Sequence, residues 1–233
     1  GTKDIKPSKL TVMQDELDKI RTIVKDNKRG ELDFKFDTYA EAKEARIDYM
    51  NHNESIYLPH GNRYMFIGHG TMGIELNDQL NSFQISPDAK ISIILSCGAG
   101  GIIGIGACLS VIRGIKNVNV IITQTNDQDA FVRSLMDGKI HYNKKPQLDF
   151  ADGIAVDCPE EDALQMAHKY VSVGDIVSHK YCQDTLLPIV RYYLEDSIPV
   201  GGTTVMGFAT LEKKLKCVQE SDVVILIACE GHI

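Results

Sequence analysis

With 233 residues, 43% of them hydrophobic and 24% charged, the chain has the make-up of a globular protein long enough for a substantial core. A net charge of -7, with no basic stripe interleaved with aromatics, argues against a nucleic-acid partner. No apolar run reaches the roughly 18 residues of a membrane span and the charged N-terminus lacks an apolar signal core, so the expected compartment is the cytoplasm, with no membrane partner.

Residues 1–9 are polar and read as a tail. Leu10 to Met13 is a short apolar run, followed by a helical pattern of Leu17, Ile20, Ile23 and Val24 that Arg29 and Gly30 break. Leu32, Phe34 and Phe36 alternate with charges as a half-exposed strand, and Tyr39 to Met50 repeats at amphipathic-helix spacing. A β-α-β-α start of this kind implies parallel strands. The polar stretch from Asn51 to Arg63 is a loop and a candidate boundary, dividing 1–55 from 56–233. Met65 to Ile67 then reads as a short apolar strand, and Gly68-His69-Gly70-Thr71-Met72-Gly73 as a turn with Thr71 placed to cap a helix carrying Ile74, Leu76 and Leu80.

The segment from Ala89 to Leu109, AKISIILSCGAGGIIGIGACL, carries the chemistry. Ile91, Ile93, Ile94 and Leu95 predict a strand buried on both faces, as in the middle of a parallel sheet. Gly98, Ala99, Gly100 and Gly101 strip side chains from a turn, and Ile102 to Ile112 resumes at helical length. Strand, glycine turn and helix start together offer unpaired N–H groups and a positive dipole end, which suit a phosphate. The same pattern also describes a tight connection that binds nothing. No Walker lysine follows, since Ile102 and Ile103 stand after Gly101. The dinucleotide fingerprint fails as well: Ile103 replaces its third glycine, and the next strand, Val118 to Ile122, ends in Thr123 and Gln124 rather than an acid.

Beyond it, Phe131 to Met136 predicts a helix ending at Gly138, and 160–170 another. Gly174 to Ser178 predicts a brief strand, Cys182 to Leu194 a helix, Gly201 and Gly202 the opening of a last helix, and Val223 to Ala228 a last buried strand. The pattern is α/β, with open parallel strands flanked by helices, and Gly70, Gly98 and Gly231 fall at the C-terminal strand edge where such sheets bind ligands. Six cysteines, Cys97, Cys108, Cys158, Cys182, Cys217 and Cys229, form no C-x-x-C pair and stand at no zinc spacing, so most of them read as reduced, buried, intracellular thiols.

Taken in order, these stretches resemble the fold type II, tryptophan-synthase-β-like pyridoxal-phosphate enzymes, among them threonine dehydratase, serine racemase and D-serine dehydratase. GHGTMGIELNDQ (68–79) resembles the family's Gly-Gln-Gly-Thr segment, CGAGGIIGIG (97–106) its glycine loop with Cys97 in the D-serine dehydratase form, and SLMDGKI with DFADGIAV (134–156) its Gly-Lys and Ala-Asp-Gly segments. The resemblance implies that backbone N–H groups of Gly98, Ala99, Gly100 and Gly101 hold the phosphate of pyridoxal 5'-phosphate. It places Cys229 where relatives carry a Ser or Thr beside the pyridine nitrogen, a neutral partner suited to elimination chemistry; a plain core cysteine is the alternative. It further implies that 1–55 is the remainder of a small domain, that 56–233 is the large cofactor domain, and that the molecule is a homodimer.

The family's Schiff-base lysine and its Ser-x-Gly-Asn loop are not visible in this chain; Lys9 lacks the surrounding motif, so no catalytic residue is assigned here and the chain reads as incomplete at the N-terminus. Ile198-Pro199-Val200-Gly201 replaces the family's Glu-Pro-Ser-Gly. Gln124 stands where several relatives place a metal-binding glutamate, and no metal site is assigned, although Asp127 and Asp129 are near in sequence. Asp152 reads as a turn residue, and His69, His179 and His232 as surface or satisfied polar residues. The implied function is part of an ammonia-lyase that dehydrates serine or threonine to a keto acid and ammonia. The alternative is a non-catalytic relative or regulatory module that keeps the fold and the phosphate cup.

Overall fold

The computed structural model describes residues 39–52, 60–144, 150–194, 198, 200–215 and 223–229. The expectations for Lys9, Leu10 to Phe36, Pro199, Cys217, Gly231 and His232 lie outside those residues. The chain divides into two compact units, Gly1–Ser55 with Ile233, and Ile56–His232. In the first, helix α1 spans Tyr39–His52, as its apolar spacing predicts.

The second unit opens with helix α2, Arg63–Ser82, which corrects the expected strand at 65–67 and the expected cap at Thr71. Asn62 caps it, its Oδ1 accepting from the Tyr64 and Met65 N–H groups at 3.0 and 2.9 Å. Thr71 lies mid-helix, its hydroxyl donating back to the Gly68 carbonyl at 2.7 Å. Gly70, expected at a strand's C-terminal edge, is also inside this helix. Phe66, Gly70 and Gly73 recur at helical spacing and all three are buried, which a run of three apolar residues could not reveal.

Four parallel strands form one sheet among the described residues: β1 Ile91–Ser96, β2 Val118–Thr125, β3 Val171–Val177 and β4 Val223–Leu226, in the order β3-β2-β1-β4. Ile91 pairs with Val118 on one side and Val223 on the other, so β1 is central. Helix α3, Ile103–Arg113, follows β1; helix α4, Ala130–Asp137, follows β2; helix α5, Glu161–Tyr170, precedes β3. A helical stretch α6 (179–194) and helix α7, Gly202–Lys214, complete the unit.

Ile91, Ile93 and Leu95 bury against Leu80, Ile105 and Leu109 on one face of the sheet. A second cluster, with Val205, Met206 and Ala209 of α7 against Phe150, Ile154 and Cys182, lies near the opposite face, where Gly207 approaches Ile94. The strand expected at Val223 to Ala228 is shorter, and its four residues are half-buried, because it pairs only with β1 and sits at the sheet edge among the described residues. Within α6 the residues Cys182–Leu186 are π-helical, the Leu187 N–H reaching the Cys182 carbonyl. Pro188 supplies the cause: it brings no N–H to the next turn, and its ring displaces the carbonyl it would face.

Candidate cofactor site

The C-terminal end of β1 is where the sheet, two helix starts and the Ala-Asp-Gly segment converge. Cys97 makes the last ladder bond, its N–H donating to the Thr123 carbonyl at 3.0 Å, and the chain then leaves β2. Gly98, Ala99, Gly100 and Gly101 form the turn into α3. Among the described residues, none of their four N–H groups donates to a protein acceptor. Helix α3 has no side-chain cap at Ile102 and no acid in its first turn, so its positive end is uncompensated.

The other sides of the turn are closed by protein. Gly100 takes φ +106°, and a Cβ there would meet Ala163 Cβ at 2.5 Å and Phe131 Cε2 at 2.6 Å. A Cβ on Gly98 would lie 3.1 Å from Ile154 Cα, and one on Gly101 would strike the His60 carbonyl. The glycines thus allow α4, α5 and the 152–154 turn to press on the backbone and hold it in shape. Consecutive N–H groups without a protein acceptor among the described residues, at a helix start and on a backbone so held, are the donor chemistry that suits an anion such as a phosphate monoester.

The pairing of β1 with β4 runs as far as Ile94 and Leu226, and beyond it Cys229 lies near enough to Cys97 to act on its thiol. Cys229 is exposed, which removes the core-cysteine alternative. Its N–H donates to Thr204 Oγ1 at 3.1 Å, fastening the end of β4 to the first turn of α7. Burial, and then the nearby Cys229 sulfur, push the Cys97 thiol far above its ordinary range, so Cys97 is neutral. Ser96 ties the same region to α7, its hydroxyl donating to the Thr203 carbonyl at 2.6 Å.

Gln124, read from sequence as a lost metal ligand, is fully buried and uses both ends of its amide. Its Nε2 donates to the Cys97 carbonyl at 2.9 Å, and its Oε1 accepts from the Val132 N–H at 2.9 Å. No group of three potential metal ligands occurs among the described residues. Asp127 lies 3.4 Å from His179 Nδ1, and Asp129 is engaged by Arg133 at 2.7 Å. Asp152 opens the 152–154 turn, where its carbonyl accepts the Ala155 N–H. His69 Nδ1 lies 3.0 Å from the Met65 carbonyl of its own helix, while His179 is buried against Phe150 rather than at the surface. Ile198 is exposed. Sequence reasoning missed the structural role of Gln124, Thr204 and the packing of Phe131 and Ala163 on Gly100; a glutamine at the end of an apolar strand was the one available signal.

An open parallel sheet with a glycine turn after a central strand defines an α/β domain of the kind that binds ligands at the C-terminal ends of its strands. The chain belongs to the family of pyridoxal-phosphate-dependent enzymes, whose model matches residues 3–230; the cofactor of that family is pyridoxal 5'-phosphate. The donor set of 98–101 fits the phosphate of that cofactor. An L-threonine ammonia-lyase of Thermotoga maritima is 26% identical over 179 residues, 76% of this chain and 41% of that protein. The mitochondrial threonine dehydratase of Schizosaccharomyces pombe is 33% identical over 138 residues, 59% of this chain and 21% of that protein. The chain therefore spans less than half the length of these curated relatives. Processed threonine deaminase isoform 2 of Solanum lycopersicum shares the fold at TM-score 0.76, with 20% identity, covering 94% of this chain and 56% of that one. Maize serine racemase does so at TM-score 0.69, with 18% identity, covering 84% of this chain and 58% of that one. No helix among the described residues is long and apolar enough to cross a membrane.

Proposed function

We propose that this chain is the cofactor-binding part of an ammonia-lyase that converts serine or threonine to a keto acid and ammonia, with residues 56–233 as the cofactor domain. The observation that carries the reading is the row of N–H groups at 98–101 that, among the described residues, donate to no protein acceptor, with Cys229 near Cys97 beyond the paired ends of β1 and β4. Bound pyridoxal phosphate supplies the electron withdrawal that acidifies the substrate α-proton and lets the β-hydroxyl depart as water. Gly98, Ala99, Gly100 and Gly101 bind the phosphate through their N–H groups, with the α3 dipole favouring its charge. Cys229 would lie beside the pyridine nitrogen. The base that removes the α-proton is a lysine outside this chain, and the released enamine takes up water to give the keto acid and ammonia.

The test uses the full-length protein carrying this chain, stripped of cofactor. It is expected to bind pyridoxal phosphate more tightly than inorganic phosphate, to gain a visible absorption band, and to release ammonia from serine or threonine. Equal affinity for the two ligands overturns cofactor recognition and leaves a small-anion binder. Binding without ammonia release supports the second reading, a regulatory relative. That reading is favoured by Ile198 in place of the family's glutamate and by a Gln124 whose amide is committed to the protein.

A further inference from the structure

We infer that Gln124 is a positioning residue that aims the first donor of the phosphate cup, a role that rests on the cofactor reading above. The Cys97 carbonyl and the Gly98 N–H belong to one planar trans peptide, so fixing the direction of one fixes the other, pointing the opposite way. The ladder with β2 ends at the Cys97 N–H, leaving that peptide outside the sheet's own hydrogen bonds. Gln124 Nε2 takes over at 2.9 Å, holding the Cys97 carbonyl toward β2 and thereby directing the Gly98 N–H away from it.

The other amide end explains why the residue is a glutamine. Gln124 Oε1 accepts the Val132 N–H, one of the orphan donors in the first turn of α4. Asp129, at the α4 start, makes no cap bond, its carboxylate being turned to Arg133. One acceptor and one donor are needed at once, and only an amide of this length offers both; a carboxylate would set an oxygen against the Cys97 carbonyl. The same residue also fastens the cup to α4, whose Phe131 presses on Gly100.

Asn143 provides the matched control. It is also a buried amide with both ends used, accepting from the Ala130 N–H at 3.0 Å and donating to the Val156 carbonyl at 2.8 Å. It caps the same helix without touching Cys97. In the cofactor-free full-length protein, Gln124→Glu, the volume-conserving Gln124→Met and Asn143→Ala would be compared by glycine-selective amide NMR and by titration with inorganic phosphate. The Gln124 variants are expected to shift the Gly98 signal and weaken phosphate binding by on the order of tenfold, the worth of one aimed hydrogen bond. Asn143→Ala should leave both within about twofold. If the Gln124 variants behave as Asn143→Ala does, Gln124 is only a helix cap and the positioning role is overturned. If the native protein binds no phosphate while the Gly98 signal still moves, the cofactor reading fails and the positioning role falls with it. Should Gln124→Glu not fold, Gln124→Met decides.

Discussion

Gly100 shows how a single residue can carry both the packing and the chemistry of a turn. Its φ of +106° is a conformation that side chains rarely adopt, and the position of the missing Cβ is already taken by Ala163 and Phe131. Gly100→Ala therefore combines backbone strain with a clash against two buried residues. It is expected to cost roughly 2–4 kcal/mol of stability, read as a lowered urea midpoint, and to weaken phosphate binding in the molecules that remain folded. The glycines of the turn were legible because composition alone marks where side chains are absent. Gln124 was not, because nothing local reveals that a polar residue will be buried between a strand end and a helix start. Its meaning depends on two partners, Cys97 and Val132, that only the pairing of β1 with β2 brings within reach.

At the scale of elements, α2 and α3 pack so closely that glycines meet backbone: a Cβ on Gly73 would lie 2.7 Å from the Ile105 carbonyl. The far ends of the two helices are joined by Arg113, whose buried guanidinium pairs with no carboxylate among the described residues. Its Nε donates to Asn77 Oδ1 at 2.7 Å, its Nη2 to Asn81 Oδ1 at 2.6 Å, and its Nη1 to the Ser86 carbonyl at 3.1 Å. The charge sits beside the C-terminal ends of both helices, where their dipoles favour a cation. Arg113→Ala removes a buried guanidinium and its bonds to acceptors that water can partly reach, and is expected to cost about 1–3 kcal/mol in chemical denaturation. Arg113→Lys should recover only a minor part, since an ammonium cannot match the planar fork. The strand pattern of β1 and β2 could be read from runs of β-branched residues. The start of α2 could not, because Met65 to Ile67 fits a strand and a helix equally, and what decides is the glycine face that α3 requires.

Across the whole of the second unit, a parallel sheet brings together residues far apart in the chain: β4 runs beside β1, and beyond their paired ends Cys229 comes near Cys97 although 132 positions (229 − 97) separate them. This geometry makes the thiols report on the site. Cys229 is exposed, Cys108 and Cys158 are half-buried, and Cys97 and Cys182 are buried. Burial also holds the two inner thiols neutral, pushing Cys182 up to about 11 and Cys97 further. Alkylation near neutral pH, followed peptide by peptide in a mass spectrometer, should therefore label Cys229 ahead of Cys108 and Cys158, with Cys97 and Cys182 last. Ligands then distinguish the two ends of the site. On the proposed reading, inorganic phosphate would occupy only the turn at 98–101 and should leave the Cys229 rate nearly unchanged, whereas pyridoxal phosphate, with its ring beside Cys229, should slow it severalfold at saturation. Equal protection by both ligands would mean that Cys229 senses the charge in the cup rather than a ring beside it, and would remove the neighbour of the pyridine nitrogen from the proposed site.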